Sequence, residues 1–289
     1  MYSISTGSGD SAVRASGMPW DAFWAEHADM IPGMEEPWNV VDVQTPSPAR
    51  IYDYMLGGKD HFASDREAAE KVIAANPGQL DLVRANRAFL VRAVRYMAEQ
   101  GIDQFLDLGT GIPTSPNVHE IAREVQPSAR VVYVDNDPIV FAHSRALRVQ
   151  DGIGAIQADI RRPDVILADP TVTRLLDLSR PVGLLAIAVL HFIEDAEEVM
   201  GRLRSALSPG SMLALAVGTT EGLTPAQVQA IKDAYEKAAA QAVIRTPAEI
   251  ERLYAGFELV EPGLVHVARW RADGPETKGK FLAGVGCLM

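Results

Sequence analysis

The chain has 289 residues, of which 47% are hydrophobic and 22% charged, which is enough apolar sequence for one large core. Its formal net charge of −11 argues against a nucleic-acid partner, because an acidic surface repels a phosphate backbone. Its one cysteine, Cys287, excludes an internal disulfide framework and a thiolate metal cluster.

The N-terminal third is predicted to be helical. Residues 1–44 form an extension that we expect to be partly disordered, residues 1–16 above all, because serine, glycine and acidic residues dominate it. Residues 45–100 predict a helical cap, in which Ser64 and Glu67 form a capping box at the start of the second helix. The predicted helices cover 50–56, 64 to about 75, and 81–99.

Residues 101–289 are predicted to form the main domain, because short apolar runs alternate with capped helical segments, as in parallel βαβ units. The predicted strands lie near 103–108, 130–134, 154–157, 182–189, 211–217, 257–261 and 265–270. The predicted helix caps are Ser115, Asp137, Asp195 with Glu198, Thr224, and Thr246 with Glu249. Only Glu261–Gly263 separates the last two strands, which predicts an antiparallel hairpin.

Two regions bear on localisation. The apolar run over 182–192 is too short to cross a bilayer, and residues 1–20 lack both a basic start and an apolar stretch. We therefore expect a cytoplasmic protein without membrane association. The sequence gives no indication of its oligomeric state.

The strand that ends in Asp107-Leu-Gly-Thr-Gly111 predicts a ligand site. Asp107 lies within an apolar run, where a buried carboxylate needs a partner. Gly109 and Gly111 lack the Cβ atoms that would keep a ligand from the main chain, and a helix N-terminus follows. Asp107 also fits a second interpretation, a carboxylate that stabilises the turn.

A second acid, Asp135, ends the next strand, where a ribose-binding residue lies in doubly wound folds. A dinucleotide and S-adenosylmethionine both fit this arrangement. The third glycine of a dinucleotide fingerprint is missing, since Pro113 and Thr114 occupy that region. Asp107 would repel a diphosphate but suits an ammonium group, which favours S-adenosylmethionine.

Two further strand ends contribute candidate residues. Asp159 follows the third strand and could accept from an adenine amino group, or be an ordinary turn residue. Residues 188–191 close the fourth strand, where they would line the reaction centre, although His191 is also compatible with a structural role.

Several segments of the chain are similar to one known family. They are Ile51–Asp60, Asp65–Glu67, Arg84–Leu90, Gln104–Thr114, Val132–Pro138 and Leu190–Phe192. They resemble the bacterial S-adenosyl methyltransferase family, formerly a domain of unknown function. The run from Phe105 to Gly111, with Asp135, Asp159 and Leu207–Ser211, resembles the wider class I S-adenosylmethionine-dependent methyltransferases. The resemblance to the bacterial family covers about residues 45–286.

This resemblance implies a Rossmann-like α/β fold. Its seven-stranded, mostly parallel sheet would have one antiparallel strand from a C-terminal hairpin, helices on both faces and an N-terminal helical cap. It implies S-adenosylmethionine as cofactor and S-adenosylhomocysteine as product. The implied cofactor-binding residues are Asp107, Gly109 and Gly111 for the methionine end, Asp135 for the ribose, and Asn136, Asp159 and Ile160 for the adenine, with Thr110, Val189 and Leu190 nearby.

The helix over 81–99 adds two cofactor-binding candidates. Asn86 falls on its apolar face, where the amide must be satisfied either by a structural hydrogen bond or by a ligand. Arg87, or Arg84 beside it, could clamp a carboxylate, or could pair with surface acids.

Methyl transfer needs chiefly alignment, with a base only where the acceptor must lose a proton. His191 is the first candidate for that base because of its expected position beside the sulfonium and its near-neutral pKa, and Tyr54 is the second. The histidines show no HExxH spacing, so the sequence gives no support for a metal-dependent mechanism.

The sequence thus predicts a methyltransferase that acts on a small-molecule acceptor. It leaves open a non-catalytic S-adenosylmethionine-binding regulatory module, because methyl transfer requires no diagnostic residue. A NAD(P)-dependent oxidoreductase is the third alternative, and the missing glycine and Asp107 both count against it.

Overall fold

The structure is a computed structural model that describes residues 42–147, 151–272 and 281–289. The predicted disorder of residues 1–16 falls outside these ranges. Three helices precede the sheet, as predicted: α1 (Pro48–Leu56), α2 (Ala63–Ala75) and α3 (Gln79–Glu99).

The predicted capping box of α2 is wrong. The helix begins one residue before Ser64, so its third residue is Asp65 rather than Glu67. The backbone N–H of Phe62 donates to the Asp65 carboxylate at 2.7 Å. The side chain of Glu67 is exposed and pairs with Lys71 on the next turn.

The remaining described residues alternate between strands and helices. The strands are β1 (Gln104–Leu108), β2 (Arg130–Asp135), β3 (Ile153–Gln157), β4 (Gly183–Ile187), β5 (Met212–Gly218), β6 (Phe257–Leu259), β7 (Val265–His266) and β8 (Phe281–Leu288). The helices are α4 (Val118–Val125), α5 (Pro138–Leu147), α6 (Pro163–Ala168), α7 (Pro170–Leu175), α8 (Ala196–Ser205), α9 (Pro225–Ala234) and α10 (Pro247–Arg252), with a 3-10 turn at Leu190–Phe192.

The strands form one mixed sheet in the order β3-β2-β1-β4-β5-β8-β6, with β7 also paired to β8. Neighbours from β3 to β5 run parallel, and β8 runs antiparallel to β5. Apolar side chains cover both faces, and α3 packs across one of them against Phe105 and Leu185. The Rossmann-like fold class is therefore confirmed. In the part of the chain that the structure describes, every helix is too short or too polar to cross a membrane.

The predicted C-terminal hairpin is wrong. β6 and β7 do not pair with each other; both pair antiparallel with β8, at Leu259↔Gly286 and Val265↔Ala283 respectively. A turn follows β6 and is closed by a 2.8 Å hydrogen bond from Gly263 N to Val260 O. It does not reverse the chain, so β6 and β7 pair with successive parts of β8. The antiparallel strand of the sheet is thus β8, over residues 281–288.

Helices α1, α2 and α9 and the start of α3 share a third apolar cluster. A buried ion pair also joins α1 to α2. Arg50 Nε lies 3.2 Å from Asp65 Oδ2, and both side chains are almost fully buried. Asp137, at the start of α5, lies 3.9 Å from the same guanidinium nitrogen. Arg50 therefore ties the N-terminal helices to the loop after β2.

We expect Asp65→Ala to destabilise the protein by about 3–5 kcal/mol, because removal of one partner leaves a buried charge uncompensated. Asp65 also accepts hydrogen bonds from the backbone of Ser47 and Phe62. The measurement is the free energy of unfolding in urea. Glu67→Ala on the same helix removes only an exposed pair and serves as the control, with little change expected. Equal stability of the two variants would contradict this role of Arg50.

Candidate functional site

The candidate site lies at the carboxyl ends of the parallel strands. Asp107 near the end of β1 and Asp135 at the end of β2 are both buried, with 4% and 8% of their surface exposed. Their strands are neighbours in register, so the two acids reach the same edge of the sheet. The structure thus brings together the two acids on which the sequence prediction depended.

The turn after β1 is anchored to β2. The N–H groups of Gly109 and Thr110 both donate to Val134 O, at 2.8 and 3.1 Å. The Thr110 hydroxyl donates to Asp107 Oδ2 at 2.7 Å. This local bond is the turn-stabilising role weighed for Asp107, and it leaves the second carboxylate oxygen for another partner.

Gly109 and Gly111 adopt positive φ angles of +65° and +64°, which only glycine adopts without strain. They differ in their surroundings. A Cβ on Gly109 would lie 2.3 Å from Val189 Cγ2, whereas a Cβ on Gly111 would meet no described atom within 4 Å. Gly109 therefore serves packing against Val189, and Gly111 borders open space.

Asp135 joins the two loops. Its Oδ2 accepts from Gly111 N at 2.9 Å, and its Oδ1 accepts from Asp137 N at 3.0 Å. Each carboxylate oxygen keeps a further lone pair, so Asp135 can still accept from a ligand hydroxyl.

Burial sets the electrostatics of both acids. Desolvation raises the pKa of Asp107 to about 6, against the lowering effects of the Thr110 hydroxyl and the Arg87 guanidinium. Desolvation also raises the pKa of Asp135 to about 6, against the lowering effect of its backbone hydrogen bonds. Two buried carboxylates that ionise near pH 6 form a site for a ligand that carries hydrogen-bond donors or positive charge.

Helix α3 faces this site with Arg87. Its Nη2 donates to Thr114 O at 2.7 Å and to Pro116 O at 2.9 Å, which holds the guanidinium over the loop after β1. Its charge partly opposes the effect of burial, which raises the pKa of Asp107 to about 6 and that of Tyr52 to about 12. Arg84, the alternative candidate, is exposed and pairs with Asp81. Of the two arginines, it is therefore Arg87 that contacts the loop after β1.

The side chain of Asn86 is buried, with 1% of the residue exposed, and only its NH2 group makes a hydrogen bond among the described residues. Its Nδ2 donates to the Tyr52 hydroxyl at 2.8 Å, and that hydroxyl donates to Val83 O at 3.1 Å. Its Oδ1 has no hydrogen-bond partner among the described residues. A buried amide oxygen without a partner is rare in folded proteins, which points to a ligand that donates to it.

The adenine-side candidates are more exposed. Asn136 lies on the surface of the loop after β2, and its backbone oxygen accepts from Gln157. Ile160 is buried in the core. The Asp159 carboxylate is bound by Arg161, with two contacts of 2.9 and 3.0 Å from Arg161 Nε, and its pKa is lowered by that partner. The backbone N–H of Arg161 also donates to Asp159 Oδ1 at 2.9 Å, so Asp159 stabilises its own turn, in agreement with the turn-residue interpretation.

The chain after β4 is strained. Ala188 has a φ of 59°, an uncommon conformation for a residue with a Cβ atom. Val189 then packs on Gly109, while the side chain of Leu190 belongs to the core. Of the residues predicted to line a reaction centre, Val189 lies against the glycine turn, whereas the side chain of Leu190 is buried in the core.

The structure argues against His191 as a general base. Burial and the nearby charge of Arg245 lower the pKa of His191 to about 3. Its Nδ1 accepts from Gly218 N at 3.4 Å, so the proton of the neutral ring is on Nε2. His191 is therefore arranged to donate a hydrogen bond rather than to take a proton.

Tyr54 is also unsuited to be a base. Its hydroxyl donates to Glu70 Oε1 on α2 at 2.5 Å, and that carboxylate raises the pKa of the phenol. The tyrosine that reaches the site is Tyr52, two residues earlier, through its contact with Asn86. The sequence around Gly57 does not indicate which of the two tyrosines, Tyr52 or Tyr54, contacts Asn86.

Sequence reasoning missed Arg245. It is 6% exposed and donates to the backbone oxygens of Leu190, Ile193 and Glu194, so it holds the turn that carries His191. Nothing in its local sequence distinguishes it from a surface arginine before the Thr246 cap.

The structure suits a ligand held by acids, amides and backbone groups. Within the described ranges, no group of three or more histidine, cysteine, aspartate or glutamate side chains could hold a metal ion. The site offers carboxylates for hydroxyl or ammonium donors, one unpartnered amide oxygen and one arginine, arranged around a glycine turn.

Comparisons with known proteins support the fold and show the family. A crystal structure from Thermobifida fusca YX, whose assignment as a methyltransferase is provisional, has a TM-score of 0.81 and 42% identity over 87% of this chain and 98% of that one. A DUF574 family protein from Streptomyces avermitilis MA-4680 has a TM-score of 0.82 and 41% identity over 86% of this chain and 100% of that one. A search of curated proteins found no match.

The family model described as S-adenosyl methyltransferase matches residues 34–287. That range contains the glycine turn, both acids and the helices that face them. This chain therefore belongs to the S-adenosyl methyltransferase family.

Proposed function

We propose that this protein transfers a methyl group from S-adenosylmethionine to a small molecule and that Asp107 and Asp135 bind the two polar ends of the cofactor. The observation that carries the proposal is the pair of buried carboxylates on either side of a glycine turn that is open at Gly111. The turn leaves room for a ligand, and the acids match the hydrogen-bond donors of an amino acid and a ribose.

The methionine end of the cofactor is proposed to contact Asp107 on β1 and two residues of helix α3, Asn86 and Arg87. Asp107 has a free oxygen for the α-ammonium group, and Asn86 Oδ1 is a second acceptor that lacks a partner. The Arg87 guanidinium is close enough to influence Asp107 and is the candidate for the α-carboxylate. Tyr52 holds Asn86 in place.

The adenosine end fits the loops after β2 and β3. Asp135 would accept from the ribose hydroxyls, and Asn136 and Ile160 would flank the adenine. In the ion pair between Arg161 and Asp159, 59% of the arginine side chain and 28% of the aspartate side chain are exposed. Such exposed pairs contribute about 0–1 kcal/mol, so an adenine amino group can replace the arginine at little expense.

When bound, S-adenosylmethionine supplies a methyl group on a positively charged sulfur. The protein's part is to align the acceptor and to exclude water, because an in-line displacement depends mainly on geometry. Helices α1 to α3 cover the site for this purpose. With His191 neutral and Tyr54 bonded to Glu70, we propose that no side chain acts as an obligatory base.

Isothermal titration tests the binding part of this proposal. We expect S-adenosylmethionine and S-adenosylhomocysteine to bind at micromolar concentrations and NAD not to bind. Transfer of a labelled methyl group to a metabolite extract then tests catalysis. Cofactor binding without any transfer would favour a regulatory module over an enzyme.

Cofactor affinity should rise with pH through the titration of Asp107. Below its raised pKa of about 6 the carboxyl is neutral, and it must lose a proton before it can pair with an ammonium group. We expect S-adenosylhomocysteine to bind about tenfold more weakly at pH 5 than at pH 7.5. Titration calorimetry at both pH values measures this difference.

Asp107→Asn should weaken binding at pH 7.5 by about 1.5–3 kcal/mol and flatten the pH dependence. Asp81→Asn, on the exposed first turn of α3, is the control and should do neither. An unchanged pH dependence in Asp107→Asn would assign the titration to Asp135 and contradict the ammonium contact.

The two turn glycines should respond differently to alanine. Gly111→Ala introduces φ strain of about 1–2 kcal/mol and no clash, but it should weaken S-adenosylhomocysteine binding at least tenfold. Gly109→Ala adds a clash with Val189 and should lose more stability, part of which Val189→Ala restores. Urea unfolding and titration calorimetry measure the two effects.

Gly101→Ala provides the control for strain alone. Gly101 has a φ of +94° and no atom within 4 Å of a built Cβ, and it lies after α3, at the opposite end of β1 from the turn. It should lose stability as Gly111→Ala does while its cofactor affinity stays unchanged. Equal affinity in Gly111→Ala and Gly101→Ala would show that the space beside Gly111 is not the ligand's.

A further inference from the structure

A cavity of about 50 Å³ lies between the N-terminal helices and the end of β5. Helices α2, α3 and α9 form one side of it, and the turn after β4 and the ends of β5 and β8 form the other. Its walls include Leu82, His191, Gly218, Tyr235 and Phe281. None of these residues has a role in the cofactor contacts proposed above.

Two segments of the chain, helix α3 and the turn after β4, contribute residues both to the cavity and to the proposed cofactor site. On α3, Leu82 precedes Asn86 by four residues, or one helical turn. After β4, His191 follows Val189, which packs on Gly109. The cavity therefore adjoins the edge of the sheet where the methionine end of the cofactor is proposed to lie.

The walls of the cavity carry no formal charge. Among the described residues that line it there is no aspartate, glutamate, lysine or arginine. Two polar residues, Asn76 and Gln79, already bond to each other, with Asn76 Nδ2 donating to Gln79 Oε1 at 3.0 Å. An ion that entered would lose its hydration without gaining a counter-charge, so the cavity selects against charged groups.

His191 supplies a hydrogen-bond donor to this uncharged wall. Its ring lies 5.2 Å from that of Phe281, centroid to centroid, and its Nδ1 is engaged by Gly218. The remaining nitrogen, Nε2, is a donor in the neutral ring. Arg245 does not line the cavity, and its guanidinium donates to three backbone oxygens, so it holds the turn, while burial and its charge keep the His191 ring neutral.

The volume limits what can enter. One water needs about 10–15 Å³ by this measure, so 50 Å³ takes a group of only a few non-hydrogen atoms. A branched aliphatic group or the edge of a ring fits, and a whole nucleotide or a peptide does not.

We propose that this cavity binds the uncharged, mostly apolar end of the methyl acceptor, with a hydrogen-bond-accepting atom directed at His191. The proposal rests on the proposed function, since it places an acceptor beside the cofactor. It narrows the acceptor to small molecules with a neutral apolar group and excludes those whose bound end is a carboxylate, phosphate or ammonium group.

Three probes of nearly equal size test it: isobutanol, isobutyrate and isobutylammonium. Ligand-observed NMR at pH 7.5, with and without saturating S-adenosylhomocysteine, gives their dissociation constants. We expect isobutanol to bind at least about tenfold more tightly than either ion, because the ions lose hydration without compensation. Equal binding of all three, or tighter binding of an ion, overturns the proposal.

Gln79→Glu sharpens the test by reversing the preference. The glutamate keeps the oxygen that accepts from Asn76 and adds a negative charge to the wall, so isobutylammonium should become the tightest of the three probes. Gln100→Glu, at the exposed far end of α3, is the matched control and should leave the ranking unchanged. An unaltered ranking in Gln79→Glu would show that the probes bind outside this cavity, which overturns the proposal.

The two proposals fail in different ways. If S-adenosylhomocysteine does not bind, the proposed function is wrong, while the probe ranking without cofactor still reports on the cavity. If S-adenosylhomocysteine binds and the neutral probe is not preferred, only the cavity assignment is wrong. Leu223→Trp enlarges a half-buried residue of the cavity wall, so it should abolish isobutanol binding and leave cofactor affinity unchanged.

Discussion

The desolvation of Asp107 and Asp135 is the constraint around which the site is arranged. Both carboxylates have a pKa near 6 in the folded chain, against 3.8 for an exposed aspartate. The folded state therefore binds more protons than the unfolded state between these values, and stability falls as the pH rises through that range. Above pH 6 each ionised acid opposes folding by roughly 3 kcal/mol, which a ligand with an ammonium group and hydroxyls would offset.

The N-terminal helices are coupled to this site through buried charge rather than through apolar packing alone. Arg50 on α1 contacts Asp65 on α2 and lies 3.9 Å from Asp137. Asp137 in turn donates its backbone N–H to Asp135. Helix α1 and the buried carboxylate of Asp135 are thus linked through Asp137, so a displacement of α1 would disturb the hydrogen bond that positions Asp135.

Most of the sheet could be predicted because its parallel strands are short apolar runs bounded by helix caps. The exception is β8, whose sequence Phe281-Leu-Ala-Gly-Val-Gly contains two glycines, which normally weaken a strand. In the structure a Cβ on Gly284 would lie 3.1 Å from Tyr254 Oη, and one on Gly286 would lie 2.9 Å from Phe257 Cβ. The glycines are needed for close packing between elements that are distant in sequence, and no local pattern reveals this.

The sequence by itself determined the turn from Asp107 to Gly111 and the position of Asp135, because strand alternation and the absence of Cβ atoms are local properties of the chain. The tertiary structure decided what the other candidates do. His191 is neutral because burial and the charge of Arg245 lower its pKa, and its Nδ1 accepts from Gly218, which comes from another part of the chain. Burial, hydrogen-bond partners and pKa depend on such distant contacts, so they become visible only after the chain has folded.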